Sequence, residues 1–139
     1  MKVYVMGDLT KNFSRSEFTC RCYNCNHFAV DFLLVTALQD ACDHFSAKYN
    51  QTVSCKITGG NRCPEHNATI PGAAKGSYHQ FSCAADHQFF LVETGHQIDP
   101  DEVADYYDNK FFDSCGIGRY SNRTHLDTRP NKARWDTRK

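Results

Sequence analysis

The chain has 139 residues, and sixteen basic residues balance sixteen acidic ones, so its formal charge at pH 7 is zero. This length allows one domain with a modest core and is too short for two full ones. The charge balance argues against a basic nucleic-acid binder and against an acidic disordered tail. Eight cysteines and seven histidines are the unusual part of the composition, and they are where chemistry is to be sought.

Neither a membrane-spanning segment nor a secretion signal is predicted. The longest apolar stretch, residues 32–38, is interrupted by Thr36 and falls short of the roughly 20 residues that a helix needs to cross a bilayer. Residues 1–6 are too short to form the apolar core of a signal peptide. We therefore expect a protein that is cytoplasmic at synthesis, whose cysteines are thiols or metal ligands rather than a disulfide framework.

The predicted elements begin with an irregular, cysteine-containing segment over residues 1–28. Apolar side chains recur at steps of three and four over residues 31–49, which predicts a helix. Alternation over residues 52–57 predicts a strand, and the prolines and glycines of residues 61–78 predict a long ordered loop or a short helix followed by a loop. A second strand is predicted over residues 87–92.

The second half of the chain contains another helix and two more strands. Asp99 can cap a helix that has Pro100 at its first position and runs to about Phe111. Residues 115–120 and 123–128 predict two short strands around a turn.

The last segment, residues 129–139, is basic and is expected to cross the surface, with Trp135 as an anchor. The chain shows no internal repeat and no low-complexity linker. The order of elements therefore predicts a single α+β domain over residues 1–139, with a small antiparallel sheet flanked by helices.

Four side chains in the second half form a candidate metal centre on that sheet. His79 and Asp86 lie seven positions apart, and His125 follows thirty-nine residues after Asp86. A catalytic zinc takes three nitrogen or oxygen ligands and keeps one position open for water, and these residues would supply that set. Asp127 would share a strand face with His125, which would place a carboxylate beside the metal as a general base. Such spacing is common, so by itself it is weak evidence.

Three blocks of sequence around these residues make the pattern more specific. The first follows the pattern Ser-x-His-x-x-Gly-x-Ala-x-Asp, in which x is any residue. Four of its five fixed positions are matched, by Ser77, His79, Ala84 and Asp86. The second, residues 60–67, reads Gly-Asn-Arg-Cys-Pro-Glu-His-Asn. The third comprises Gly-Ile-Gly-Arg-Tyr at 116–120, His-Leu-Asp-Thr-Arg at 125–129 and Arg-Trp at 134–135.

These blocks, in this order, resemble the zinc D-Ala-D-Ala carboxypeptidases, D-Ala-D-Ala dipeptidases and phage cell-wall endopeptidases, including L-alanyl-D-glutamate endopeptidases, which have a Hedgehog-like zinc fold. The likeness covers about residues 13–135. It implies that His79, Asp86 and His125 bind one catalytic zinc ion. It also implies that Arg62 stabilises the substrate carbonyl or the oxyanion formed on attack, a task that suits a fixed guanidinium.

The sequence departs from the family pattern at two positions. Ser82 stands where the family has glycine, and Asn122 stands where several members place an acid, three residues before the last histidine. An asparagine cannot act as a base, so Asp127 is our candidate for that role. The alternative is that Asp127 is a strand residue paired with Arg129 or Arg123. The same blocks supply three candidates for substrate binding: Ser77, Tyr78 and Tyr120.

Cys20, Cys22 and Cys25 form a second cluster. With His27 or Cys63 they could complete a structural zinc site, and a disulfide is a further alternative. The spacing is not a pair of Cys-x-x-Cys motifs, so we favour half-buried thiols near the start of the first helix, and a single zinc ion per chain.

The sequence thus favours a monomeric zinc peptidase that hydrolyses an amide in the stem peptide of peptidoglycan, as a phage endolysin or a cell-wall carboxypeptidase. The stem peptide is the expected partner, and neither nucleic acid nor membrane is expected. The predicted lack of a signal peptide suits an endolysin, which reaches the wall through a separately made membrane lesion. One alternative is a catalytically inactive zinc-binding recognition module of the same fold, as in the Hedgehog signalling domain. Another is a structural or interaction module organised on Cys20, Cys22 and Cys25.

Overall fold

The computed structural model describes residues 7–138. The first six residues, on which part of the signal-peptide prediction rests, lie outside that range. The described chain forms an α+β fold in which helices pack beside one sheet, which confirms the predicted fold class.

The described residues form three α-helices, five strands and two short 3-10 turns. The helices are α1 (Phe32–Tyr49), α2 (Pro64–Thr69) and α3 (Pro100–Lys110). The strands are β1 (Val53–Gly59), β2 (Ala84–Leu91), β3 (Gly116–Arg119), β4 (Thr124–Asp127) and β5 (Ala133–Asp136). The 3-10 turns are η1 (Arg15–Phe18) and η2 (Tyr78–Phe81).

The helix predicted over residues 31–49 is α1, and its boundaries follow from its end groups. Asp31 caps the first turn by accepting a hydrogen bond from the backbone N–H of Leu34, at 3.2 Å. Asn50 ends the helix in the left-handed conformation. The inner face of α1 buries Leu38 and Phe45 in the core. No helix in the described range is both long and apolar enough to cross a membrane.

The five strands form one sheet in the order β1-β2-β4-β3-β5. The first four pair antiparallel, as predicted, but β5 runs parallel to β3, so the sheet is mixed. The sequence predicted no strand within residues 129–139, whereas residues 133–136 form the partly exposed edge strand β5. Gly118 explains the close pairing, because a Cβ at this position would lie 2.4 Å from Nε1 of Trp135.

Strand β2 starts at Ala84, three residues before the predicted strand. Ala84, Ala85 and Asp86 have little intrinsic preference for strands. They adopt the conformation because Asp86 pairs with Gly59 of β1 on one side and with His125 of β4 on the other. This extension is the part of β2 that carries a predicted metal ligand.

Candidate metal centre

Three elements bring the predicted zinc ligands together. The β2–β4 register sets Asp86 directly opposite His125, and the 3-10 turn η2 delivers His79 from the preceding segment. One ligand atom from each residue lies within 4.8 Å of the others, and all three side chains are buried. The structure therefore assembles the triad that was selected from the sequence.

The ring of His79 is oriented for metal binding by a backbone carbonyl. Its Nδ1–H donates to the oxygen of Gly60 at 2.7 Å, which leaves the lone pair on Nε2. That nitrogen lies 3.4 Å from Oδ2 of Asp86. Ligand atoms about 2.0–2.1 Å from a tetrahedral zinc lie about 3.3 Å from each other, so this separation fits two ligands of one ion.

The two nitrogens of His125 face two different carboxylates. Nδ1 lies 2.9 Å from Oδ1 of Asp86, and Nε2 lies 2.7 Å from Oδ2 of Asp127. Nδ1 is thus the nitrogen on the side of the other two ligands. A carboxylate on the remaining nitrogen of a metal-binding histidine fixes its tautomer and ring orientation. The contact between Nε2 of His125 and Asp127 therefore indicates that Asp127 orients the ring of His125.

Asp127 is fully buried at the centre of further polar contacts. Arg129 donates from Nε to Oδ1 and from Nη2 to Oδ2, each at 2.7 Å. The backbone N–H of Gly116 donates to Oδ1 at 3.2 Å, and a Cβ at Gly116 would lie 2.3 Å from Oδ2. To accept a proton from water, Asp127 must first release one of these contacts. Its role as general base stays a prediction.

The charges in this cluster shift one another's pKa values. Burial raises the pKa of Asp127, but the hydrogen bonds from Arg129 and His125 outweigh it and hold the pKa well below its usual range. Burial also raises the pKa of Asp86, and the hydrogen bonds to His125 and His79 hold it far lower. Both carboxylates are therefore ionised at neutral pH, which gives the site the negative charge that a divalent cation requires.

Arg62 lies at the edge of the triad. Its Nη2 is 3.7 Å from Oδ2 of Asp86, and its Nη1 donates to Oδ1 of Asn67 at 3.3 Å. The backbone N–H of Arg62 donates to the carbonyl of His79 at 2.9 Å. This backbone hydrogen bond holds Arg62 beside His79, a candidate metal ligand.

A cleft of about 750 Å³ opens over the centre and includes all three ligands and Arg62 in its lining. Arg129 stacks on the ring of Tyr78, 4.1 Å from its centroid, while Tyr120 accepts a hydrogen bond from Nε1 of Trp135 at 2.9 Å. Ser77 also lines the cleft, and its Oγ accepts from the N–H of His79 at 3.3 Å. The structure thus gathers every predicted substrate-binding residue at this cleft.

Two further residues support the site. From the sequence, Arg129 was only an alternative ion-pair partner of Asp127, and Trp135 was only an anchor of the last segment. Arg129 forms the paired contact with Asp127, and Trp135 packs against His125 with 4.8 Å between ring centroids. Both fall within the third sequence block, so their presence was visible. The contact between Trp135 and His125 was not visible, because the β4–β3–β5 pairing is what brings these residues together.

The two departures from the family pattern, Ser82 and Asn122, differ in their structural settings. Ser82 has φ 62°, a left-handed conformation that glycine adopts at the lowest cost. Asn122 is exposed, and its backbone carbonyl accepts hydrogen bonds from Gln88 and Gln97. Ser82 thus keeps a backbone suited to glycine, whereas Asn122 offers no carboxylate.

The donor set and its packing form a candidate metal-binding site on the sheet. Residues 11–127 match the family model described as peptidase M15, and the chain belongs to this family. No curated protein and no solved structure matches the chain. The family consists of zinc-dependent peptidases that act on peptidoglycan, so the chain is a metallopeptidase of that general class.

Proposed function

We propose that the protein hydrolyses an amide bond in the stem peptide of peptidoglycan, as a phage endolysin or a cell-wall carboxypeptidase. The observation that carries the proposal is the buried triad of His79, Asp86 and His125, which lines an open cleft beside Arg62. A purely structural zinc site has four protein ligands, whereas three leave a position for water or substrate.

The triad's own geometry supports one metal ion. Zinc bound there would supply a Lewis acid and lower the pKa of its water from 15.7 to about 7. Arg62 reaches the metal ligands with a guanidinium that is mostly shielded from solvent. We assign it the stabilisation of negative charge on the carbonyl oxygen of the substrate during attack.

Asp127 is the candidate for carrying the proton from the attacking water to the leaving amine. Its contact with His125 supports an additional role, which is to hold that ligand in the metal-binding orientation. Proton transfer would require the carboxylate to exchange part of its pairing with Arg129 for a water molecule.

Substrate binding is assigned to the aromatic walls of the cleft. Tyr78 and Tyr120 both lie there, and Tyr120 has a hydroxyl hydrogen free to donate after accepting from Trp135. Ser77 is assigned to the same binding surface, where it also fixes the turn that carries His79.

The test is digestion of purified peptidoglycan, followed by mass spectrometry of the released fragments. The zinc-loaded protein is expected to release fragments cut at one stem-peptide bond, and His79→Ala is expected to release none. The exposed His96 supplies the matched control, so His96→Ala should keep the activity. Loss of a terminal D-Ala would assign a carboxypeptidase, and cleavage after L-Ala would assign an endopeptidase.

A zinc-binding recognition module without catalysis is the second candidate. Two observations favour it: Asn122 replaces the acid found in several relatives, and both oxygens of Asp127 are occupied. A protein that holds zinc through His79 and binds peptidoglycan, yet leaves every stem-peptide bond intact, would establish this candidate and reject the peptidase.

A further inference from the structure

Four cysteine side chains converge in a second cluster, which shares no residue with the proposed catalytic triad. The Sγ atoms of Cys20, Cys22, Cys25 and Cys63 all lie within 4.8 Å of one another. Cys22 is 3.5 Å from Cys20 and 3.8 Å from Cys63, measured between sulfurs. All eight cysteines of the chain lie in the described range, and none forms a disulfide.

These separations match four ligands of one metal ion. Sulfurs placed about 2.3 Å from a tetrahedral zinc lie about 3.8 Å from each other. Disulfide sulfurs lie about 2.05 Å apart and would join the cysteines only in pairs. The cluster has the tetrahedral size and the number of sulfurs that a closed structural zinc site requires.

The surrounding backbone donates hydrogen bonds to three of the four sulfurs. The N–H of Cys63 points at Cys20 at 3.3 Å, that of Asn24 at Cys22 at 3.4 Å, and that of His66 at Cys63 at 3.4 Å. Such donors stabilise negative charge on thiolates, which is the form in which cysteine binds metal.

The local chain is folded so that the sulfurs converge. Tyr23 has φ 56°, a left-handed conformation that is uncommon for an aromatic residue, and its N–H donates to the carbonyl of Cys20 at 3.2 Å. This turn brings Cys22 and Cys25 back onto Cys20. Cys63 then comes from the opposite side, at the N-terminal end of α2.

We propose that Cys20, Cys22, Cys25 and Cys63 bind a second, structural zinc ion. The sequence alone favoured free thiols and one metal, because three local cysteines do not make a closed site. The fold supplies the fourth ligand from a segment that lies forty-three residues after Cys20. With all four positions taken by protein, this zinc holds the structure together and does not touch substrate.

The second site braces the segment that supports the catalytic centre. The N–H of Asn61 donates to the carbonyl of Phe18 at 2.8 Å, two residues before Cys20. Gly60, whose carbonyl orients His79, directly precedes Asn61, and Arg62 lies between Asn61 and Cys63. Zinc bound by Cys63 would therefore fix the chain at the residue next to Arg62.

The test counts zinc per chain in protein purified under reducing conditions. The wild type is expected to hold two equivalents, Cys22→Ser one, and His79→Ala one. The matched control is Cys55→Ser, a partly buried cysteine outside the cluster, which should keep two. Equal zinc content in Cys22→Ser and the wild type would overturn the proposal, as would iron in place of zinc.

A second measurement does not depend on whether Cys22→Ser folds. It uses His79→Ala with cobalt in place of zinc. Because the catalytic triad is broken there, the remaining cobalt should show intense thiolate-to-metal charge-transfer absorption. Titration of its thiols with a mercurial should release that one equivalent of metal. Absence of the charge-transfer band, or a disulfide within the cluster in reducing buffer, would overturn the second site and leave the peptidase proposal intact.

Discussion

At the scale of single residues, His125 is where the candidate catalytic site is organised. Its two nitrogens connect Asp86, a proposed metal ligand, with Asp127, which is itself held by Arg129. Burial lowers the pKa of His125, but hydrogen bonding to Asp127 and Asp86 outweighs it and raises the pKa. The same carboxylates that favour a proton on this ring therefore favour a cation bound to it.

Replacing Asp127 with asparagine should abolish peptidoglycan hydrolysis. An amide cannot accept the proton of the attacking water, and the substitution removes the negative charge that orients His125. We expect the affinity for zinc at the triad to fall about 10- to 100-fold, as for other carboxylates that support a metal-binding histidine. Isothermal titration of the metal-free protein with zinc measures this effect.

The zinc affinity of Asp127→Asn also separates the two roles of the residue. Unchanged affinity with lost hydrolysis would leave proton transfer as its only function. Asp108→Asn is a suitable control, because Asp108 is also paired with an arginine, Arg134, but lies outside the cleft. That variant should keep both activity and zinc.

Replacing Arg62 with alanine should lower kcat about 10²- to 10³-fold without removing zinc. The estimate follows from the loss of one group that stabilises an oxyanion. Arg62→Lys should recover part of the rate, since it restores the charge but not the planar guanidinium. Steady-state kinetics on a stem-peptide substrate and zinc analysis provide the measurement.

Arg15, which is exposed and donates to the carbonyl of Phe28, supplies the matched control for Arg62. Arg15→Ala is expected to have the kinetics of the wild type. If Arg62→Ala retained the full kcat, the proposed stabilisation of the oxyanion would be wrong.

At the scale of secondary structure, β2 sends consecutive side chains to opposite faces. Asp86 enters the metal centre, while His87 enters the core. Nδ1–H of His87 donates to the carbonyl of Ala85 at 3.1 Å, and the hydroxyl of Tyr107 donates to Nε2 at 2.8 Å. This histidine is thus held in the neutral form by packing and not by a metal.

The burial of His87 predicts a loss of stability in mild acid. Burial lowers the pKa of His87 from 6.5 in the unfolded chain to about 4 in the folded protein. Between these two pH values the unfolded state binds more protons than the folded state. The stability that neutral His87 contributes is therefore fully present above pH 6.5 and is lost as the pH falls towards 4. We expect the contribution of His87 to fall by roughly 2 kcal/mol between pH 7 and pH 5.

Urea unfolding of the wild type and of His87→Gln at both pH values isolates this effect. Loss of zinc at low pH is common to both proteins, since their metal ligands are the same. The stability difference between the wild type and His87→Gln should therefore shrink towards pH 5. A difference that stayed constant would contradict the assignment.

The N-terminal cap of α1 also connects the helix to the end of β4. Asp31 accepts hydrogen bonds from the N–H of Leu34 and from the hydroxyl of Thr128, the latter at 2.7 Å. Asp31→Ala should lower the free energy of unfolding by about 1–2 kcal/mol. Asp43→Ala, at an exposed position inside the same helix, should change it far less. Urea unfolding at pH 7 measures both.

At the scale of the whole molecule, the sheet and the N-terminal segment hold parts of the site that are far apart in sequence. The triad uses η2, β2 and β4, and the cysteine cluster joins the N-terminal segment to α2. Metal that binds only the folded state stabilises it according to its concentration and affinity. Folding and metal binding are therefore expected to be coupled.

Zinc at 100 times its dissociation constant should stabilise the folded protein by about 2.7 kcal/mol for each independent site. Calorimetry of metal-free Cys22→Ser measures the catalytic site alone, because one ligand of the cysteine cluster is missing. Its unfolding temperature should rise when zinc is added. The double variant Cys22→Ser/His79→Ala should show no such rise, and an equal rise would show that zinc binds elsewhere.

Much of this molecule could be predicted from local patterns. The helices α1 and α3 were visible because caps and apolar spacing are encoded within a few neighbouring residues. The triad residues were visible because they stand in recognisable blocks of sequence. The start of β2 and the pairing of β5 were not, since Ala84 and Trp135 acquire their conformations from strands that are distant in the chain.

Local sequence patterns were enough to indicate the donor types of the candidate metal centre and the family of the chain. The support of those groups became visible in the fold, where Asp127 pairs with Arg129 and faces His125. The fold also brings Cys63 to Cys20, Cys22 and Cys25. Metal coordination and buried charge pairing both depend on distances of a few ångströms. Segments that are separated along the chain reach such distances only when the sheet and its packed helices have formed.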